Sequence, residues 1–166
     1  MFSRDVFINA VKDSYIDGNS QNFLLNPQFS GTIVSNLWQK ISGIDFNAYG
    51  STIKSQRLIA GMSVYNSFLP LRKHQAFSII DTGKLRIIGN LKKMDDCILV
   101  EFCIDDPEDL MKSIKFMQKS GLNLKCVVSV IDTFNNVAEI LKSNNIQYMP
   151  LLTKTDLENS NEIFLD

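Results

Sequence analysis

Apolar residues recur along this chain with two spacings, which together predict alternating helices and strands. Apolar positions three or four residues apart predict helices over 3–16, 30–41, 55–68, 106–121 and 137–143. Short apolar runs bounded by turn-forming residues predict strands or extended segments over 23–25, 46–50, 76–80, 84–88, 97–102, 124–131 and 146–149, with a last turn at 155–158. This alternation is typical of a three-layer α/β fold, in which helices flank a mainly parallel central sheet.

The same spacing identifies the side chains that are expected to face the core. In the helices these are Ile33, Leu37, Trp38, Ile41, Leu58, Ile59, Met62, Tyr65, Leu110, Ile114 and Met117. The run 124–131 is apolar at nearly every position, as expected of a parallel strand that is buried on both faces. No internal repeat or linker interrupts the pattern, so residues 1–166 are expected to form a single domain.

The helix predicted at 106–121 begins directly after an apolar strand, in a connection that is rich in carboxylates. Asp106 suits the N-cap and Pro107 the first helical position, and Glu108 and Asp109 complement the helix dipole in the first turn. Open α/β sheets bind anions at such strand–loop–helix connections, using glycine for close approach and hydroxyl donors. Glycine, serine and threonine are all missing here, while Asp105 adds a further carboxylate.

These carboxylates disfavour phosphate binding. At 4 to 6 Å and an effective dielectric constant near 20, each like-charge pair costs roughly 3 to 4 kcal/mol. The carboxylates could instead hold Mg²⁺ or Ca²⁺, but consecutive acids at a helix start rarely converge on one ion, so helix capping is the preferred interpretation. We therefore predict no metal site.

Composition narrows the function classes further. The formal net charge of −1 argues against a nucleic-acid-binding protein, and no apolar run approaches the length that spans a bilayer. The N-terminus has no signal-like architecture, so a cytoplasmic protein is expected. Cys97, Cys103 and Cys126 lie in or beside apolar runs and are expected to be buried thiols, not a disulfide or a zinc site.

Several segments are similar, in order and spacing, to the orotate phosphoribosyltransferases. Phe46-Asn-Ala-Tyr-Gly-Ser-Thr-Ile53 with 58–60 resembles the strand and helix around the family's Gly-x-Thr-Ile-Gly-Ala-Asp-Pro-Ile. Segment 82–91 resembles the stretch that follows the family's mobile catalytic loop. Segment 92–101 resembles the turn and strand that lead into the family's phosphoribosyl loop. The family's last strand, helix and terminal turn are matched by residues 127–132, 135–136 and 151–157, respectively. The resemblance spans residues 17–157 and implies a phosphoribosyltransferase-like fold.

The chain departs from the family at the positions that carry chemistry. The family ends its loop strand with two acids that contact the ribose; here Glu101 is retained and Phe102 replaces the second acid. The resemblance places Asp105, Asp106, Glu108 and Asp109 in a degenerate phosphoribosyl loop, where the family has Thr-Thr-Gly-Gly. The residues Lys54-Ser-Gln-Arg57 stand where the family approaches pyrophosphate with Gly-Ala-Asp-Pro. The mobile loop would be deleted between Ile80 and Thr82, and Thr133 stands where the family's arginine holds the orotate carboxylate.

Two basic groups have an alternative interpretation. Lys54 and Arg57, at a helix start, could retain contact with an anion, although ordinary surface charge is preferred. The segment 71–74 resembles the lost Arg-Lys-His loop in composition, but it precedes the strand at 76–80, so a solvated turn is expected.

Three functions remain open at this point. The first is a non-catalytic structural or regulatory protein with no catalytic residues and no cofactor; because active relatives are dimers, it would form a homodimer or pair with a related subunit. The second is a divergent active orotate phosphoribosyltransferase of pyrimidine nucleotide synthesis, which would use Mg²⁺ and new roles for Glu101, Lys54, Arg57 and Lys84 or Arg86. The third is a module that binds a nucleotide or nucleobase without turnover. Whether a small-molecule ligand is bound therefore stays open.

Overall fold

A computed structural model describes residues 8, 9, 11, 26–69, 74–104, 106–132 and 136–159. The helices are α1 (Pro27–Ile41), α2 (Gln56–Ser67), α3 (Pro107–Lys119), α4 (Val137–Ser143) and α5 (Lys154–Asn159). The strands are β1 (Ala48–Thr52), β2 (Gln75–Asp81), β3 (Leu85–Ile88), β4 (Asp96–Cys103), β5 (Asn123–Asp132) and β6 (Gln147–Thr153). A short 3-10 turn, Ile53–Ser55, joins β1 to α2.

The strands form one six-stranded sheet in the order β3-β2-β1-β4-β5-β6. Strand β3 pairs antiparallel with β2, and the other neighbours are parallel. Helices cover both faces, as the crossovers between parallel strands require. The predicted three-layer α/β fold is confirmed.

Each face of the sheet has its own apolar core. On one face α1, α2 and α5 pack over β1, β4 and β5, with Ile33, Leu37, Leu58, Met62 and Leu157 buried. On the other face α3 and α4 cover the sheet through Leu110, Ile114, Met117 and Leu141. Strand β5 is buried along most of its length because it lies inside the sheet and under both helix layers, as its apolar run predicts.

The boundaries differ from the predictions where local patterns are weakest. Helix α1 begins at Pro27 instead of residue 30, since proline suits a first helical turn. Strand β6 continues to Thr153, and the segment predicted as a turn at 155–158 belongs to helix α5. Of the first predicted helix only residues 8, 9 and 11 are described, and they are helical; the extended segment predicted at 23–25 lies outside the described residues.

One predicted core position is wrong. Tyr65 is 39% exposed, whereas the other predicted core residues of the helices are buried. The inner side of α2 instead ends at Asn66, whose side-chain amide donates to the carbonyl of His74 at 2.9 Å. A satisfied hydrogen bond thus places a polar residue inside and turns the neighbouring tyrosine outward.

None of the helices in the described part of the chain is both long enough and apolar enough to cross a membrane.

Candidate functional site

A cleft lies at the edge of the sheet where the parallel strands β1, β2 and β4 end. Its volume is about 130 Å³. Its polar lining comprises Thr52, Lys54, Asp81, Glu101, Asp106, Asp109, Lys112 and Ser113. Open α/β sheets bind ligands at this edge, although ligand pockets usually measure roughly 300 to 1,000 Å³. The cleft is therefore in the expected place but small.

Glu101, near the end of β4, is tied to the connection between β1 and α2. Its Oε1 accepts a hydrogen bond from the backbone N–H of Thr52 at 2.8 Å. Its Oε2 accepts from the hydroxyls of Thr52 at 2.9 Å and Ser55 at 2.6 Å. The Ser55 hydroxyl also accepts from the backbone N–H of Phe102 at 2.7 Å. These bonds fasten β4 to the neighbouring connection.

Burial governs the chemistry of this carboxyl group. Glu101 is 3% exposed, and desolvation raises its pKa, while hydrogen bonds from Ser55 and Thr52 and the charge of Lys54 oppose the rise. Phe102 points to the opposite face, because side chains alternate along a strand, and packs in the core with α1 and α2. Glu101 is thus buried and hydrogen-bonded within the fold, and Phe102 is a core residue.

The first backbone N–H groups of α3 are capped by the side chain of Asp106. The Asp106 carboxylate accepts from the backbone N–H groups of Glu108 at 2.8 Å and Asp109 at 3.2 Å. The prediction of Asp106 as the N-cap, with Pro107 in the first turn, is confirmed. Asp105 lies outside the described residues. Because Asp106 already bonds these two N–H groups, an incoming anion would have to displace a carboxylate to reach them.

An ion-pair cluster bridges the two connections across the cleft. The Asp109 carboxylate lies 3.0 Å from Lys112 Nζ and 3.6 Å from Lys54 Nζ. The hydrogen bond and charge of Lys112, followed by Lys54, lower the pKa of Asp109. Lys54 therefore does line the cleft, where it meets a carboxylate of the chain itself. Arg57 is exposed on α2 and is not among the cleft-lining residues.

The connection between β2 and β3 is a tight turn. Only residues 82–84 separate the two strands, and Gly83 adopts a φ of +85°, which favours glycine. The backbone N–H of Gly83 donates to the Asp81 carboxylate at 2.9 Å. No long loop separates these strands, in agreement with the deletion inferred between Ile80 and Thr82.

Other candidate residues lie away from this cleft or outside the described residues. His74 precedes β2 and therefore lies at the opposite edge of the sheet, where its ring stacks on Phe46 with centroids 4.1 Å apart. Residues 71–73 and Thr133 are not described. No group of three or more histidine, cysteine, aspartate or glutamate side chains that could hold a metal ion occurs among the residues placed by the structure.

The three cysteines are free thiols. Cys97 and Cys126 are buried, and burial raises the pKa of each to about 12, with Asp95 and Asp96 adding to the rise at Cys97. The prediction of buried thiols is confirmed for these two, whereas Cys103 is half-buried and lines the cleft.

Three contributors to this region were not identified from the sequence. Thr52 and Ser55 bind Glu101 across more than forty positions of sequence, which no local pattern signals. Lys112 stands three residues after Asp109, a spacing at which helix side chains meet, so this ion pair could have been inferred.

Comparison with known proteins reveals sequence relatives and similar structures. No family model matches the chain. The orotate phosphoribosyltransferase of Methanosarcina mazei is 30% identical over 81 residues, which cover 48% of this chain and 43% of the relative. The orotate phosphoribosyltransferase of Methanocaldococcus jannaschii is 24% identical over 138 residues, covering 81% of this chain and 76% of the relative. The match to the M. mazei enzyme thus spans less than half of that relative's length.

The fold is similar to that of a solved enzyme. The Mycobacterium tuberculosis orotate phosphoribosyltransferase in complex with 5-phospho-α-D-ribosyl 1-diphosphate superposes with a TM-score of 0.79 at 18% identity, covering 95% of this chain and 93% of the enzyme. The strand order and flanking helices therefore define a phosphoribosyltransferase fold. In sequence the chain is similar to the orotate phosphoribosyltransferases of two archaea, and in fold it is similar to the solved enzyme.

Proposed function

We propose that this protein is a non-catalytic member of the orotate phosphoribosyltransferase family. Its role would be structural or regulatory, through pairing with itself or with a related subunit, and its expected compartment is the cytoplasm. The observation that carries the proposal is made at the start of α3, where the Asp106 carboxylate accepts hydrogen bonds from two backbone N–H groups. A phosphate would have to replace that carboxylate and would meet Glu108 and Asp109 beside it.

The charges of the cleft support the same conclusion. Phosphoribosyl transfer needs cationic support for a departing pyrophosphate, and losing one such preorganised group costs about 10²- to 10³-fold in rate. Both lysines that line this cleft contact Asp109. Glu101, which the family resemblance assigns to the ribose, is hydrogen-bonded to Thr52 and Ser55 instead.

Calorimetric titration with ligands of the family tests this proposal. The full chain is titrated with phosphoribosyl pyrophosphate and Mg²⁺, then with orotate and orotidine monophosphate, and incubated with both substrates for a turnover assay. We expect no binding heat at about 1 mM ligand and no product. The M. jannaschii relative serves as the positive control, and micromolar binding with product formation would refute the proposal.

Substitutions of Asp106 and Asp109 test whether these two carboxylates prevent phosphate binding. In the variant Asp106→Gly/Asp109→Asn the two N–H groups lose the Asp106 carboxylate and both lysines lose that of Asp109, and we expect weak phosphate binding to appear. Glycine is a tolerated N-cap, so the helix should remain. Glu108→Gln neutralises a neighbouring carboxylate outside the cleft lining and should bind no phosphate. Equal affinity in both variants would exclude the cap and the Asp109 ion pairs as the cause.

The second candidate is a divergent active orotate phosphoribosyltransferase that uses Mg²⁺. The observation in its favour is the position of the cleft, which lies at the ends of β1 and β4 and retains Glu101 and Lys54 in its walls. The turnover assay separates this candidate from the first. Binding of a nucleotide without product would instead favour the third function, a nucleotide-binding module.

A further inference from the structure

The charged side chains that line the cleft already have partners within the described part of the chain. Lys54 and Lys112 both contact the carboxylate of Asp109. The other three carboxylates accept hydrogen bonds from backbone N–H groups, and they belong to Asp81, Glu101 and Asp106. A charged ligand would have to compete with one of these contacts, whereas a neutral ligand would leave all of them in place.

Ser113 also lines the cleft, but its hydroxyl has no hydrogen-bond partner among the residues that the structure describes. It lies on α3, one helical turn after Asp109, and is only 5% exposed. The Ser120 hydroxyl on the same helix, by contrast, donates to the carbonyl of Phe116 at 2.9 Å. Because buried hydroxyl groups are normally hydrogen-bonded, the unpartnered Ser113 hydroxyl points to a ligand.

Most of the remaining lining of the cleft is apolar. Ile79, Ile104 and Leu110 are buried, and Leu85 is half-buried. Ile53, in the turn between β1 and α2, is 54% exposed. An occupant that covered Ile53 would remove a large apolar side chain from water, which is favourable. The lining thus combines an apolar surface with one unmet hydroxyl group.

The volume of the cleft, about 130 Å³, limits the size of the occupant. An engineered apolar cavity of roughly 150 Å³ binds benzene, whereas drug-sized ligands occupy pockets of roughly 300 to 1,000 Å³. A single six-membered ring with one small substituent therefore fits the cleft, and a nucleotide is too large for it.

We infer that the cleft binds an uncharged one-ring molecule with a single hydroxyl or carbonyl group, which bonds to Ser113 while the ring lies against the apolar walls. A serine hydroxyl donates to a carbonyl and accepts from a hydroxyl, so either group suits it. The inference rests on the proposed function, since it assigns a neutral ligand to a cleft that is proposed to reject phosphate. It gives the regulatory role a ligand class.

Amide-detected NMR titration of the full chain with phenol tests the inference. Benzene lacks the hydroxyl, phenyl phosphate adds a negative charge and benzylamine adds a positive charge. We expect phenol to shift the amide signals of Thr52 and Ser113 with a dissociation constant of about 1 mM or below. Benzene should bind about fivefold more weakly, because it lacks one neutral hydrogen bond. The two charged probes should leave these signals unchanged.

A serine substitution locates the hydrogen bond. Ser113→Ala should weaken phenol binding about fivefold and leave benzene binding unchanged, because only phenol uses the hydroxyl. Ser120→Ala is the matched control on the same helix: it lies outside the cleft lining and should bind phenol as the native chain does. Circular dichroism checks that both variants fold.

Phenol binding that depends on Ser113 and not on Ser120 supports the inference. The absence of shifts at about 10 mM phenol overturns it. Equal affinity of Ser113→Ala and the native chain for phenol also overturns it, as does tighter binding of either charged probe. A chain that binds no phenol and forms no orotidine monophosphate overturns this inference alone. Phenol binding that depends on Ser113, in a chain that forms orotidine monophosphate, overturns the non-catalytic function alone.

Discussion

The connections from β1 to α2 and from β4 to α3 lie side by side at the cleft and satisfy their polar groups differently. In the first, Thr52 and Ser55 donate their hydroxyls to Glu101, a carboxylate from the neighbouring strand. In the second, Asp106 bonds N–H groups only two and three residues further along the chain. One connection is held by tertiary structure and the other by its own sequence.

Because the two connections carry opposite charges, charged side chains that line the cleft pair with each other. The first connection contributes a cation, Lys54, and the second contributes carboxylates, and the two meet in the ion pair between Lys54 and Asp109. That pair is largely exposed, and such pairs are worth about 0 to 1 kcal/mol, so it contributes little stability. Its effect is on the charge that a ligand would meet.

The largest predicted effect comes from removing the buried carboxylate of the first connection. Glu101→Ala should lower the free energy of unfolding by about 3 kcal/mol, because buried donors of Thr52 and Ser55 lose their acceptor. Urea denaturation measures the loss. Glu139→Ala, on the exposed side of α4, is the control and should change stability by less than about 0.5 kcal/mol. Similar losses in both variants would contradict a special role for Glu101.

A smaller effect is expected in the pH dependence of stability. The pKa of Glu101 is raised from its ordinary value of 4.5 in the folded chain, so between 4.5 and the raised pKa the folded state binds more protons than the unfolded state. Its contribution is thus fully present below 4.5 and is lost as pH rises through the raised pKa. We expect the stability of the native chain, relative to Glu101→Gln, to fall with rising pH in that window. Denaturation of both proteins across the acidic to neutral range measures this difference, and a constant difference would contradict the shift.

The smallest of the three effects concerns the cap of the second connection. Asp106→Ala should cost about 1 kcal/mol of unfolding free energy, and Asp106→Gly only a few tenths, because alanine is a poor N-cap and glycine a fair one. Glu108→Ala removes a carboxylate from the same turn without removing the cap and should cost less than Asp106→Ala. Thermal or urea unfolding of the three variants ranks the losses. If Glu108→Ala cost as much as Asp106→Ala, helix-dipole charge would outweigh the cap bonds.

How much could be predicted depended on the distance in sequence between interacting groups. The cap at Asp106 was predicted because donor and acceptor are two and three residues apart. The inner faces of α1 and α3 were predicted because their apolar periodicity is regular, whereas Tyr65 was misplaced because Asn66 bonds His74, eight residues away. For Lys54 ordinary surface charge was the preferred interpretation and contact with an anion only the alternative, and its pairing with Asp109 in the cleft was not predicted.

The sequence by itself determined the alternation of helices and strands, the cap of α3 and the three-residue turn after β2. Each of these depends on neighbouring residues or on local periodicity. Only the tertiary structure decided that Glu101 is fastened to Thr52 and Ser55 and that Asp109 meets Lys54. Those contacts join residues 46 to 55 positions apart, and they exist only because β1 and β4 pair in the sheet and bring their carboxyl ends together.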